Sequence, residues 1–187
     1  LTTSTTAAQT ANTATTAAIV TASAALNASS FTLTTSADTG LAFVGTANDD
    51  TFTAGDIGGN AAANASWSTG DVLDGSGSGD NDTFNVIQTT AVALPTGAKV
   101  TNIETMNVTS GGTVTLDATG FTGLTSLNTI GVAGATVTSA ATTATSISDS
   151  ALAGTNIVAN GGSTVTVAAI GHGTGTITVG GTTAAAG

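Results

Sequence analysis

From Met106 onward the chain repeats itself about every twenty residues in short strand-like bursts, and few folds accept such a repeat. Apolar and polar residues alternate within each burst, and Gly, Ser and Ala separate the bursts, the pattern of half-buried strands. Met106, Leu127, Ile147 and Val167 stand 21, 20 and 20 residues apart. Leu116, Val137, Ile157 and Ile177 repeat those intervals half a period out of phase. Two interleaved series are what a β-solenoid requires, because each coil contributes two faces and like positions stack on successive coils about 4.8 Å apart. Alternation also assigns the sides. Val114 and Leu116 oppose Thr113, Thr115 and Asp117, and Val165 and Val167 oppose Thr164 and Thr166. Leu127 and Ile147 are therefore expected in one core, with outward threonines in ladders. The pattern weakens where Thr129 and Asp149 follow Val108. A β-sandwich of similar short strands is the alternative.

Composition agrees with strands. Aromatics make up 3% and charged residues 6% of the 187 residues, so a core must come from small, mostly β-branched side chains. There is no Cys, which excludes disulfides and thiolate metal sites. The first residue is Leu and the only Met is Met106, so the chain reads as a fragment or a processed product. No apolar run approaches the roughly 18 residues that span a bilayer, and no membrane insertion is expected. A net charge of −10, with Lys99 as the only fixed cation, argues against a nucleic-acid partner, whose phosphates need Lys and Arg.

That single cation also leaves the carboxylates without ionic partners. Eight of the 11 acids fall between Asp38 and Asp82, a stretch free of Lys, Arg and His. At an effective dielectric of about 20, two like charges 4 Å apart repel by roughly 4 kcal/mol, a penalty that a shared divalent ion reverses. Carboxylates, Asn amides and carbonyls bared by glycine turns are hard oxygen donors, which favours Ca²⁺ over zinc or copper, and over the smaller octahedral site of magnesium. The candidate ligands are Asp38, Asn48, Asp49, Asp50, Asp71, Asp74, Asp80 and Asp82. Solvated turn residues without an ion are one alternative. An EF-hand starting at Asp74 is another, but its twelfth position is Asn85 rather than a bidentate Glu.

Two stretches in this window carry a family resemblance. GTANDDTF, Gly45 to Phe52, resembles a degenerate RTX nonapeptide, with Gly45 at the first glycine, Asp50 at the aspartate and Phe52 at the apolar position. Leu73 to Phe84, ending in the same Asp-Thr-Phe, resembles it with extra residues. The resemblance implies a β-roll in which Asp50 and Asp82 bind calcium while Phe52 and Phe84 pack inward. Across residues 31 to 140, FTLTTSADT, GTANDDTF, VLDGSG and VTNIETMNVTSGGTVTLDATGFTGLTSLN are similar in order and wording to RTX-type bacterial surface-layer proteins, a calcium-binding family exported by type I secretion.

The resulting expectation is an all-β chain in four parts. Residues 1–30 are a Thr- and Ala-rich segment of open structure, in which Ala17 to Leu26 suits a short helix, an edge strand or a linker. Residues 31–86 form an RTX-like calcium module, 87–97 a connector, and 98–187 a β-solenoid. The resemblance implies a structural protein of a bacterial surface layer, outside the cell, whose partner is itself in a calcium-dependent lattice. A cell-surface polysaccharide would bind through a region beyond this chain. A type I-secreted adhesin is the alternative, and a glycan-acting RTX domain a third. No catalytic constellation is evident: His172 sits in a glycine-rich turn, the GSGSG at Gly75 to Gly79 precedes no helix, and no Trp, Tyr or Arg accompanies Asp117, Glu104 or Asp149 as a sugar site would need. Trp67 is expected as a packed or interfacial anchor.

Overall fold

The computed structural model describes residues 9, 13, 15, 28–57, 62–77, 79–150, 155–171 and 173–180. Its fourteen strands are β1 (Ser30–Thr32), β2 (Thr51–Gly55), β3 (Val72–Asp74), β4 (Thr83–Gln88), β5 (Val92–Ala93), β6 (Lys99–Thr101), β7 (Thr105–Ser110), β8 (Val114–Asp117), β9 (Ser126–Gly131), β10 (Ala135–Ser139), β11 (Ala144–Asp149), β12 (Ile157–Gly161), β13 (Thr164–Ala169) and β14 (Ile177–Val179). They build a β-solenoid of about seven turns whose coils lie about 21 residues apart. A seven-stranded parallel sheet stacks β1, β2, β4, β7, β9, β11 and β13. A five-stranded sheet stacks β14, β12, β10, β8 and β5, and a short third sheet pairs β3 with β6. The seven-stranded sheet runs without a break through β2, β4 and β7, across the boundaries expected near residues 87 and 98. No helix among the described residues is long and apolar enough to cross a membrane. Ala17 to Leu26 and His172 lie outside the described residues.

The core follows from strict period-two alternation. Phe31, Phe52, Phe84, Met106, Leu127, Thr145 and Val165 occupy one inward column, and Ala54, Val86, Val108, Thr129, Ile147 and Val167 the next. The first column starts with aromatic rings, Phe31 stacked on Phe52 at 4.5 Å, and Trp67 packs edge-on to Phe84 at 5.4 Å. Trp67 is thus a core residue, only 3% exposed. Each large side chain buried in this way contributes about 1.5–3 kcal/mol relative to leaving it in water.

One detail of the expected register differs. Leu127 and Ile147 both face the core, yet Leu127 stands beside Thr145 while Ile147 stands beside Thr129. On the other sheet Val137 follows Leu116 as expected, but Ile157 stands beside Ala135 rather than Val137. The step from Ser126 to Ala144 is shortened and that from Ala135 to Ile157 lengthened, because the turns differ in length. Shifts of two residues keep every apolar side chain inside, so the slip leaves the alternation intact.

Outward positions of the long sheet form ladders. Thr51, Thr83, Thr105 and Ser126 make one row. In the next, Asn128 donates to Asn107 and Asn107 to Asn85, each through Nδ2 to Oδ1 at 3.0 Å.

Candidate metal centre

The residue just before a strand of the long sheet turns the corner of its coil. At three successive coils that residue is acidic: Asp50 before β2, Asp82 before β4 and Glu104 before β7. Their carbonyls continue the ladder, accepting from Thr83 at 2.9 Å, Thr105 at 3.0 Å and Ser126 at 2.9 Å. Their own N–H groups need another partner, and the carboxylate of the next coil supplies it. The Asp50 amide donates to Asp82 Oδ1 at 2.6 Å, and the Asp82 amide to Glu104 Oε2 at 2.8 Å. The Ser29 and Thr46 amides donate to Asp50 in the same way. The acids are therefore stacked by the backbone itself.

Glycine makes room for this stack. A Cβ at residue 75 would collide with both Asp82 Oδ2 and the Asn102 carbonyl, and one at residue 45 with Asp50 Oδ2 and the Gly75 carbonyl. Only glycine lets these loop ends pass so close to the carboxylates.

Asp80 completes a cluster. Ligand oxygens of Asp80, Asp82 and Glu104 lie within 4.8 Å of one another, an arrangement that can hold a metal ion. Asp82 is fully buried, and its Oδ2, like Asp80 Oδ2, has no hydrogen-bond partner. Burial pushes the Asp82 carboxyl up from 3.8 to about 6; the Asp50 amide opposes the rise, while the charges of Asp80, Asp50 and Glu104 add to it. A buried oxygen facing like charges and lacking a donor is what a cation would satisfy. Calcium holds oxygens at about 2.3–2.6 Å, so ligands across its shell stand roughly 5 Å apart and the trio fits within one shell.

The other candidate ligands are distributed around this centre. Asn48 and Asp49 line a cavity of about 390 Å³ with Ala28, Ala47, Gly79 and, of the trio, Asp80. Asp49 Oδ1 also accepts from the Asn81 amide at 2.8 Å. Asp74 accepts from the Ser76 amide at 2.9 Å and from Asn102 Nδ2 at 2.8 Å. Asp38 and Asp71 form a separate buried pair at another corner. Asp38 accepts from the Thr34 amide at 2.7 Å and hydroxyl at 2.8 Å; Asp71 accepts from the Ser68 amide at 2.6 Å and the Asp38 amide at 2.9 Å.

Glu104 was not among the sequence candidates, although a signal for it existed. Asp50-Thr51-Phe52 and Asp82-Thr83-Phe84 recur one coil later as Glu104-Thr105-Met106, the same order of acid, threonine and large apolar residue. The acid turns the corner, the threonine faces out and the third residue enters the core. No protein-family model matches the chain, and no curated protein matches it.

Proposed function

We propose that the chain is a calcium-stabilised β-solenoid serving as a structural subunit of a bacterial surface layer, assembling with copies of itself outside the cell. The observation that carries this reading is the buried, unpartnered Oδ2 of Asp82 beside Asp80 and Glu104. Three carboxylates at such range repel by roughly 3 kcal/mol per pair at an effective dielectric of about 20, so the empty arrangement is costly and the filled one favourable. Asp80, Asp82 and Glu104 would hold the ion, and Asp50 would keep Asp82 in place. The donors are all hard oxygens, which favours Ca²⁺. The assembly part of the reading is supported by the resemblance of residues 31 to 140 to RTX-type surface-layer proteins. Charge supports it too, since subunits at −10 repel until divalent ions lower that charge.

Two measurements test it. Calorimetric titration of metal-free protein with calcium should show uptake that Asp82→Asn and Glu104→Gln weaken at least tenfold, while Asp56→Asn leaves it unchanged. Light scattering and negative-stain microscopy should then show calcium-driven sheets. A chain that binds calcium yet stays monomeric at millimolar calcium would give the adhesin reading preference over the surface layer.

A further inference from the structure

Every charged side chain of this chain lies off one face. The outward positions of β2, β4, β7, β9, β11 and β13 carry Thr, Ser, Asn, Ala, Gly and Ile and no Asp, Glu or Lys, in a molecule of net charge −10. Most acids lie instead at the coil corners and in the loops; Asp74 ends β3, Asp149 ends β11 with its side chain buried, and Asp117 projects from the five-stranded sheet. Down the middle of the uncharged face runs the Asn85–Asn107–Asn128 ladder. Beside it Ile87, Thr109 and Ile130 stand in register, with both isoleucines more than half exposed.

From this placement we propose that the outer face of the seven-stranded sheet is the surface through which two copies of the chain pack face to face. This deepens the assembly reading above and rests on it. Three features favour a second copy as the occupant. First, copies at −10 repel each other everywhere except where charge is missing, so this face offers the approach of lowest electrostatic cost. Second, a two-fold axis brings like against like, and an amide ladder is self-complementary. Within the ladder Asn107 spends one N–H and one lone pair on its neighbours and keeps a second of each that can meet an opposing amide row, whereas Asn128 also turns its amide to Ser126 Oγ at 3.4 Å. Third, the size suits a contact used many times rather than once. Seven strands at about 4.8 Å spacing and five residues at about 3.3 Å give roughly 500 Å² per copy. The pair then buries roughly 1,000 Å², at the lower edge of specific interfaces, where multivalency in a sheet supplies the strength a single pair lacks. The face carries neither the aromatic platforms nor the charged side chains by which sugars are commonly gripped.

The test uses the whole chain loaded with calcium. Sedimentation velocity across a concentration series measures self-association of the parent and of Thr109→Asp, Asn107→Asp and Thr115→Asp, the last placing a charge on the exposed face of the five-stranded sheet. Thermal melting and calcium uptake, followed by Trp67 fluorescence, confirm that each variant is folded and loaded. Thr109→Asp and Asn107→Asp should weaken association at least tenfold with calcium uptake unchanged, and Thr115→Asp should leave it as in the parent. Association that survives both variants on the long sheet overturns this pairing of faces while leaving calcium-driven assembly standing. A calcium-loaded parent that never associates overturns both. If that monomer is instead retained on a polysaccharide matrix and Thr109→Asp releases it, the face serves a glycan and not a second copy.

Discussion

Asp82 joins more of this molecule's chemistry than any other residue. One oxygen caps the Asp50 amide and the other stands unpartnered beside Asp80 and Glu104. Its carboxyl titrates near 6 in the folded chain against 3.8 ordinarily, with burial as the main cause. The folded state therefore holds a proton that the unfolded state has released between about pH 4 and pH 6. Metal-free stability should fall as pH rises through that window and level off above it. Denaturant titration in chelator at pH 4.5 and pH 7 measures the drop, and Asp82→Asn should flatten it. Thr129 offers a second test. It lies between Val108 and Ile147 in an apolar column, 2% exposed, with Oγ1 lacking a partner. Thr129→Val keeps the shape and removes the unsatisfied hydroxyl, so it should stabilise by about 1–2 kcal/mol, a rise in Tm of roughly 2–8 °C. A lower Tm would show that the hydroxyl has a partner in solution.

At the scale of elements, the coils divide by what holds them. β9, β11 and β13, with β10 and β12 opposite, stack through ladder hydrogen bonds and apolar columns, and among the described residues no carboxylate cluster ties them. The coil from β2 to β4 is the longest among the described strands of this sheet, running from Thr51 to Thr83, and its return brings Asp80 and Asp82 against Glu104 of the next coil, where the proposed ion would hold it. Chelation should therefore open the first coils before the later ones. Hydrogen exchange should show amides of β2 and β4 losing protection in chelator while those of β9 and β11 keep theirs. Uniform loss along the solenoid would mean that the ion stabilises the fold as one cooperative unit. The acid corners were partly legible in the sequence. The Asp-Thr-Phe endings marked two of the three stacked acids, but Glu104 sits in a segment with a single acid, and its membership depends on which coil lies beneath Asp82. Asp38 and Asp71 show the converse: sequence placed them in the same acidic window, whereas folding gave them a corner of their own.

Across the whole molecule, one continuous solenoid carries both the acidic corner and the uncharged face. Substitution should show the two sides of its sheets to be unequal. Leu127→Asp puts a charge into the core with no Lys or Arg beside it and should abolish the cooperative melting transition, while Thr115→Asp, pointing to solvent, should shift Tm by no more than a few degrees. Circular dichroism through a thermal ramp decides, and equal tolerance of both would contradict the inward and outward assignment. The proposed metal centre and the proposed packing face lie on different parts of the solenoid, so a variant should be able to lose either property and keep the other.

What the sequence determined by itself was the alternation and its recurrence. Side chains in a strand have a period of two, so Val114 and Leu116, or Phe52 and Ala54, declare the inner side without knowledge of any neighbour, and recurrence at about twenty residues declares a stack of coils. Tertiary structure alone decided which residue lies above which. A slip of two positions preserves every inward side chain and so leaves no mark in an alternating sequence, and turns of unequal length make such slips: Leu127 meets Thr145 and not Ile147. The same choice of register brought Glu104 beneath Asp82 and aligned three asparagines into a ladder. Each of these is a relation between coils, fixed by stacking hydrogen bonds formed only once the chain has closed on itself.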